Sequence, residues 1–126
     1  MDLGIKGKKA IVCASSKGLG LGCAISLAEA GVDLIINSRD PKNLDAAAKL
    51  LRSKYQVQIE TVVADITTEV GQEAVLEKAE NNLDILVTNA GGPPPGHWSD
   101  WTRTDFISAL DANMLTPIAL INAVLP

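Results

Sequence analysis

An α/β fold built on a doubly wound parallel sheet is the architecture this sequence predicts, and three observations carry it. Short apolar runs alternate with amphipathic stretches, a glycine-rich turn joins the first run to the first amphipathic stretch, and polar or small residues follow each run. The length of 126 residues and the 47% hydrophobic content suit one domain with a single core architecture.

The elements can be justified in chain order. Lys9 to Cys13 reads as a buried strand, and Leu19 to Glu29 as a helix of small residues closed by Gly31, which suits a left-handed cap. Asp33 to Asn37 is a second strand. Asp40 is placed to cap a helix with Pro41 at its first position, and Leu44, Ala47, Ala48 and Leu51 mark its inward face as far as Ser53. Gln58 to Ala64 is a third strand. Thr68 to Asn81 is a polar helix with Val70 and Leu76 among its few inward candidates, and Leu83 to Thr88 is a fourth, apolar strand. Three consecutive prolines make Gly91 to Gly96 an extended loop, after which Thr102 and Asp105 have capping-box spacing and open a helix bearing Phe106, Leu110 and Met114. The sum is about four strands and four helices.

Composition excludes several classes. Acidic residues outnumber basic ones by 15 to 11, for a net charge of -4, and no Lys/Arg run marks a nucleic-acid groove. No apolar run approaches the ~20 residues needed to cross a bilayer, and no basic stretch followed by an apolar segment opens the chain, so no membrane partner and a cytoplasmic location are expected. Cys13 and Cys23 lack CxxC spacing and a set of histidine partners; both are expected to be reduced and buried, with no metal site. The single histidine, His97, lies in the Pro/Gly-rich loop and reads as a loop residue.

The segment Ala14-Ser15-Ser16-Lys17-Gly18-Leu19-Gly20 lies where a doubly wound fold binds a pyrophosphate on a helix N-terminus. Gly18 and Gly20 allow backbone amides to approach a diphosphate, and Ser15 and Ser16 offer hydroxyls to the same oxygens. Alone, such a turn also occurs in methyltransferases and in plain structural turns. After the second strand, where NAD or S-adenosylmethionine domains place an acidic residue for ribose hydroxyls, stand Ser38 and Arg39. A guanidinium suits a 2'-phosphate, and Lys17 supplies a second cation, so NADP(H) is expected over NAD(H). Asp65 after the third strand, and Asn89-Ala90-Gly91 after the fourth, add polar or small residues to the same crevice. Asp40 is a further ribose candidate, although capping explains it better.

Together these residues resemble the short-chain dehydrogenase/reductase family, with its Rossmann-type fold, TGxxxGxG turn, Asp after the third strand, NNAG-like segment after the fourth and Asn in the fourth helix. The Ser15 to Gly20 segment is also similar to bacterial 3-oxoacyl-carrier-protein reductase-like members. The resemblance implies that Ser15, Ser16, Lys17, Gly18, Leu19 and Gly20 hold a pyrophosphate, Ser38 and Arg39 an adenosine 2'-phosphate, Asp65 and Ile66 an adenine, and Asn89, Ala90 and Gly91 the ribose region. Asn113 would be the catalytic asparagine. It further implies a carbonyl–alcohol oxidoreductase, with 3-oxoacyl thioester reduction among the candidate reactions, acting on a small molecule and forming a homo-oligomer. A non-catalytic nucleotide-binding or redox-sensing module is the alternative, and an S-adenosylmethionine-dependent methyltransferase a more distant one.

Two departures stand out. Cys13-Ala14 replaces Thr-Gly, so Ala14 needs a negative φ or mild strain, and Thr88 replaces the first Asn, where its hydroxyl could restore a tie to the first turn. Pro117, four residues after Asn113, cannot donate to the Asn113 carbonyl, which predicts a kinked helix with a freed carbonyl. The family's Ser and Tyr-x-x-x-Lys have no counterpart here. Tyr55 is assigned to packing, and the chain reads as the N-terminal portion of a longer protein whose fourth strand, Ile85 to Val87, would be an open edge.

Overall fold

The computed structural model describes all 126 residues and contains one parallel four-stranded sheet in the order β3-β2-β1-β4. The strands are β1 (Lys9–Val12), β2 (Asp33–Ser38), β3 (Ile59–Val63) and β4 (Ile85–Val87). The helices are α1 (Gly18–Glu29), α2 (Pro41–Lys54), α3 (Glu69–Ala79), α4 (Arg103–Leu110) and α5 (Thr116–Val124), the last two continuous through a π turn over Asp111–Leu115. Starting at β1, the chain winds outward through β2 and β3, then returns to place β4 on the other side of β1, where Ala10, Ile11 and Val12 pair with Ile85, Leu86 and Val87. That reversal of strand order opens a crevice at the carboxyl ends of the strands.

The period of two along the central strands creates two cores. Ala10, Val12, Leu34 and Ile36 face α1 and α2, meeting Ala24, Ala28, Leu44, Ala47, Ala48 and Leu51. Ile11, Cys13 and Ile35 face the opposite layer, meeting Val75, Ala79 and Leu120. Both faces of β1 and β2 are covered, which is why these strands read as continuous apolar runs. The expected caps form as well. Asp40 Oδ1 accepts from the amides of Lys42 and Asn43 at 2.9 and 3.2 Å, Gly31 adopts φ +84°, and Thr102 with Asp105 closes a capping box. Tyr55 packs beside the α1–α2 core as expected.

Four expectations need correction. Val70 is 76% exposed, because α3 turns the stripe Gly71, Val75 and Ala79 inward at a spacing of four and leaves Val70 off that face. Cys23 is exposed, since the buried stripe of α1 is Gly20, Ala24 and Ala28. The kink expected at Pro117 takes the form of a widened turn within one helix, and the continuation makes Arg103–Val124 a 22-residue segment long and apolar enough to span a bilayer by length and composition, where no segment of that length was expected. Core helices of water-soluble proteins pass the same test. Finally, β4 is shorter than Leu83 to Thr88, with Asp84 accepting from the Lys9 amide at 2.9 Å where the strand begins.

Candidate functional site

A crevice of about 500 Å³ opens across the carboxyl ends of the strands. Of the sequence-predicted residues, it gathers Ser16, Lys17, Gly18, Leu19, Ser38, Arg39, Asp65, Ile66, Asn89, Ala90 and Gly91. Ser15, Gly20 and Asn113 do not line it.

Ser15 is fully buried. Its hydroxyl donates to the Val12 carbonyl at 2.7 Å and accepts from the Asn37 amide at 3.1 Å, so it braces the turn and is not aimed at a ligand. Gly20 also acts indirectly, since a Cβ there would overlap the Ala14 carbonyl oxygen and lie 2.9 Å from Asn89 Nδ2. Its bare backbone lets α1 seat against the turn and against Asn89. Gly71 has the same role for the next loop, where a Cβ would overlap the Asp65 carbonyl oxygen. Ala14 takes φ +48°, a left-handed conformation that costs about 1–2 kcal/mol in an alanine.

The tie between the first turn and the fourth strand comes from Asn89, whose Nδ2 donates to the carbonyls of Ala14 and Cys13 at 3.1 and 3.4 Å. Thr88 does not restore it; Thr88 faces the β4 edge beside Ile121 and Leu125. Burial pushes the Cys13 thiol up to about 11, which keeps it neutral and unsuited to nucleophilic work.

Asn37 is the functional residue that sequence reasoning passed over. It is 1% exposed at the end of an apolar strand, and its Nδ2 donates to the carbonyls of Val62 and Ala64 at 3.1 and 3.0 Å. Its Oδ1 accepts from the Ala14 amide at 3.3 Å. One side chain thus joins the ends of β1, β2 and β3 under the crevice floor. The available signal was a lone amide inside Asp33–Ser38, where every other buried position is aliphatic.

The crevice is built for anions in two places. α2, α3 and α4 each carry a side-chain cap, whereas α1 has none, so the first turn of α1, whose Gly18 and Leu19 line the crevice, has no side-chain acceptor for its amides. At the β2 end, Ser16 Oγ donates to Ser38 Oγ at 3.0 Å, and exposed Lys17 and Arg39, next in sequence to these serines, line the same crevice with no ion-pair partner. Leu19 is 87% exposed and offers an apolar contact at the mouth. Asp65 accepts from the Thr67 amide and hydroxyl at 2.9 and 2.7 Å, and these bonds, with a smaller contribution from the Arg39 charge, hold its carboxyl below the usual range.

Asn113 lies at the centre of the π turn, with its Nδ2 donating to the Ala109 carbonyl at 3.1 Å. The Asp111 carbonyl receives both the amide and the hydroxyl of Thr116, the latter at 2.9 Å. Asn113 faces a second cavity, which abuts the crevice at Gly91, Gly92 and Ala112. Trp101 lines that cavity, while Trp98 is 73% exposed outside it.

Comparison with known proteins agrees with this arrangement. The short chain dehydrogenase family model matches residues 8–126. An uncharacterized oxidoreductase of Mycobacterium tuberculosis is 34% identical over 124 residues, covering 94% of this chain and 46% of that protein. Gluconate 5-dehydrogenase of Gluconobacter oxydans is 27% identical, covering 87% of this chain and 44% of that protein. Among solved structures, L-sorbose reductase from Gluconobacter frateurii, complexed with NADPH and L-sorbose, superposes with a TM-score of 0.89 at 30% identity, over 97% of this chain and 48% of that one. A short chain dehydrogenase from Burkholderia cenocepacia in complex with NADP gives 0.85 at 28% identity, over 95% and 50%. The chain spans about half the length of the curated relatives it matches. With its parallel Rossmann-like sheet, its glycine turn and its matched length, this chain belongs to the short-chain dehydrogenase family.

Proposed function

We propose that the intact protein is an oxidoreductase that interconverts a carbonyl and an alcohol with NADP(H), and that this chain supplies the cofactor side. The observation that carries the reading is the pair of cations without ion-pair partners that line the crevice with Ser38: Lys17 at the N-cap position of α1, which has no side-chain cap, and Arg39 next to Ser38 at the end of β2. That donor set fits a dinucleotide with three phosphate groups. Amides of Gly18 and Leu19, with Ser16, hold the pyrophosphate; Ser38, Arg39 and Lys17 hold the 2'-phosphate through charge-assisted bonds. Asp65 and Ile66 would hold the adenine, and Asn89, Ala90 and Gly91 the ribose region.

When bound, the dinucleotide supplies the hydride. Within this chain, Asn89 ties the β1 turn to the β4 end, and Asn113 stands on the wall of the adjoining cavity, where its carboxamide would orient the groups that move the proton. The exposed apolar residues along α4, the π turn and α5, among them Leu110, Met114 and Ile118, support a homo-oligomer.

The test is titration of the intact protein with NADPH, followed by turnover of a ketone panel read as loss of reduced-nicotinamide absorbance. Binding with turnover is expected. Absence of nucleotide binding overturns the reading. Binding without turnover of any carbonyl favours the non-catalytic module, a state for which one relative, the human inactive hydroxysteroid dehydrogenase-like protein 1, is named.

A further inference from the structure

We propose that the second cavity is the near half of the substrate chamber and selects neutral carbonyl compounds bearing a ring-sized apolar substituent over anionic ones; this rests on the oxidoreductase reading above.

Position is the first support. The cofactor crevice runs from Arg39 and Asp65, at the β2 and β3 ends, across the β1 turn to Asn89 through Gly92 at the β4 end. A dinucleotide with its 2'-phosphate at Arg39 therefore directs its other end to Gly91, Gly92 and Ala112. Those three residues also line the second cavity, so the two spaces share a wall where the reactive end of the cofactor arrives.

Size and rigidity are the second. The cavity holds about 530 Å³, within the range of pockets that enclose a small molecule. Pro93 and Pro94 fix its rim. Trp101 and Phe106 meet edge to face, with ring centroids 6.0 Å apart at 87°, and the loop lies so close on the indole that a Cβ at Gly96 would stand 3.0 Å from Trp101 Nε1. An aromatic wall of this kind binds a flat or alkyl substituent with little reorganisation.

Charge is the third. Asp105 is the one ionisable residue of the lining, and no Lys, Arg or His of this chain joins it there. Thr102 donates to the Asp105 carboxylate from its amide at 2.7 Å and its hydroxyl at 2.8 Å, bonds that hold the carboxyl below its usual range and keep it anionic at neutral pH. A carboxylate or phosphate on the substrate would meet a fixed like charge with no counter-ion on this wall.

The experiment compares an aryl methyl ketone with the same ketone bearing a ring carboxylate, using the intact protein and NADPH. The neutral compound is expected to have a kcat/KM at least about tenfold higher, and Asp105→Asn to narrow that ratio. Trp101→Ala and Phe106→Ala should raise KM for the neutral ketone by about tenfold with a smaller change in kcat, leave NADPH affinity unchanged, and be largely rescued by Trp101→Phe. Equal or better turnover of the carboxylate overturns the proposal, as does a wild-type KM in alanine variants that bind NADPH normally. Turnover of neither ketone by NADPH-bound protein overturns it while leaving the cofactor assignment standing, and failure to bind NADPH removes both.

Discussion

Ser15 and Asn37 are fastened to each other in both directions: the Ser15 amide donates to the Asn37 carbonyl at 2.8 Å, and the Asn37 amide donates to Ser15 Oγ at 3.1 Å. With the Asn37 carboxamide reaching Ala14, Val62 and Ala64, this pair sets the height of the glycine turn above the sheet. Replacing Asn37 with Leu keeps the volume but leaves the Ala14 amide and the Val62 and Ala64 carbonyls, at the ends of β1 and β3, without this partner. The expected loss is about 3 kcal/mol in urea unfolding of the intact protein, against about 1 kcal/mol for Ser15→Ala. An unchanged midpoint in both variants would show that the turn is held by other contacts.

That network shows where the sequence was legible and where it was not. The first three strands, the α2 cap at Asp40 and the capping box at Thr102 follow from local periodicity and cap chemistry, and each lies within a residue of where its residues predict, whereas β4 is shorter than its apolar run. The crevice residues were legible because the fold brings strand ends together. Ser15, by contrast, is read as a ligand-binding hydroxyl from its position in the turn, yet whether a hydroxyl faces a ligand or the Val12 carbonyl depends on tertiary contacts. Asn37 is hidden inside an apolar run, and its value comes from strands distant in sequence. Val70 and Cys23 were misplaced because weakly amphipathic helices leave the phase of the buried face to packing. The irregularity before Pro117 is legible from its missing amide, but its form, a widened turn, is one that a helical period of 3.6 residues does not express.

The two cysteines should differ sharply. Cys23 is exposed and should react quickly with a thiol reagent in the native protein, whereas Cys13 should react only on unfolding. Because folding raises the Cys13 pKa from 9.0 to about 11, its contribution to stability is fully present below about pH 9 and is lost as pH rises toward 11. Comparison of Cys13→Ala with wild type across that window should show a steeper alkaline loss in the wild type, on the order of 2–3 kcal/mol. Parallel stability curves would contradict the burial of a neutral thiol.

Thr116 is 3% exposed, and its hydroxyl joins its own amide on the Asp111 carbonyl, holding open the turn that carries Asn113. Thr116→Val should remove about 1 kcal/mol of stability and lower kcat of the intact enzyme several-fold, with KM less affected, and Thr116→Ser should restore both. A valine variant with wild-type kcat would mean that the widened turn does not position Asn113.

The central claim is that the β2 end of the crevice reads a 2'-phosphate. Calorimetric titration of the intact protein and of its Arg39→Asp variant, each with NADPH and with NADH, tests it most directly. The account predicts tighter NADPH binding by the wild type and a loss in the variant confined to NADPH, on the order of 2–3 kcal/mol for a hydrogen-bonded charge pair. Equal losses for both cofactors, or a wild type that favours NADH, would contradict it.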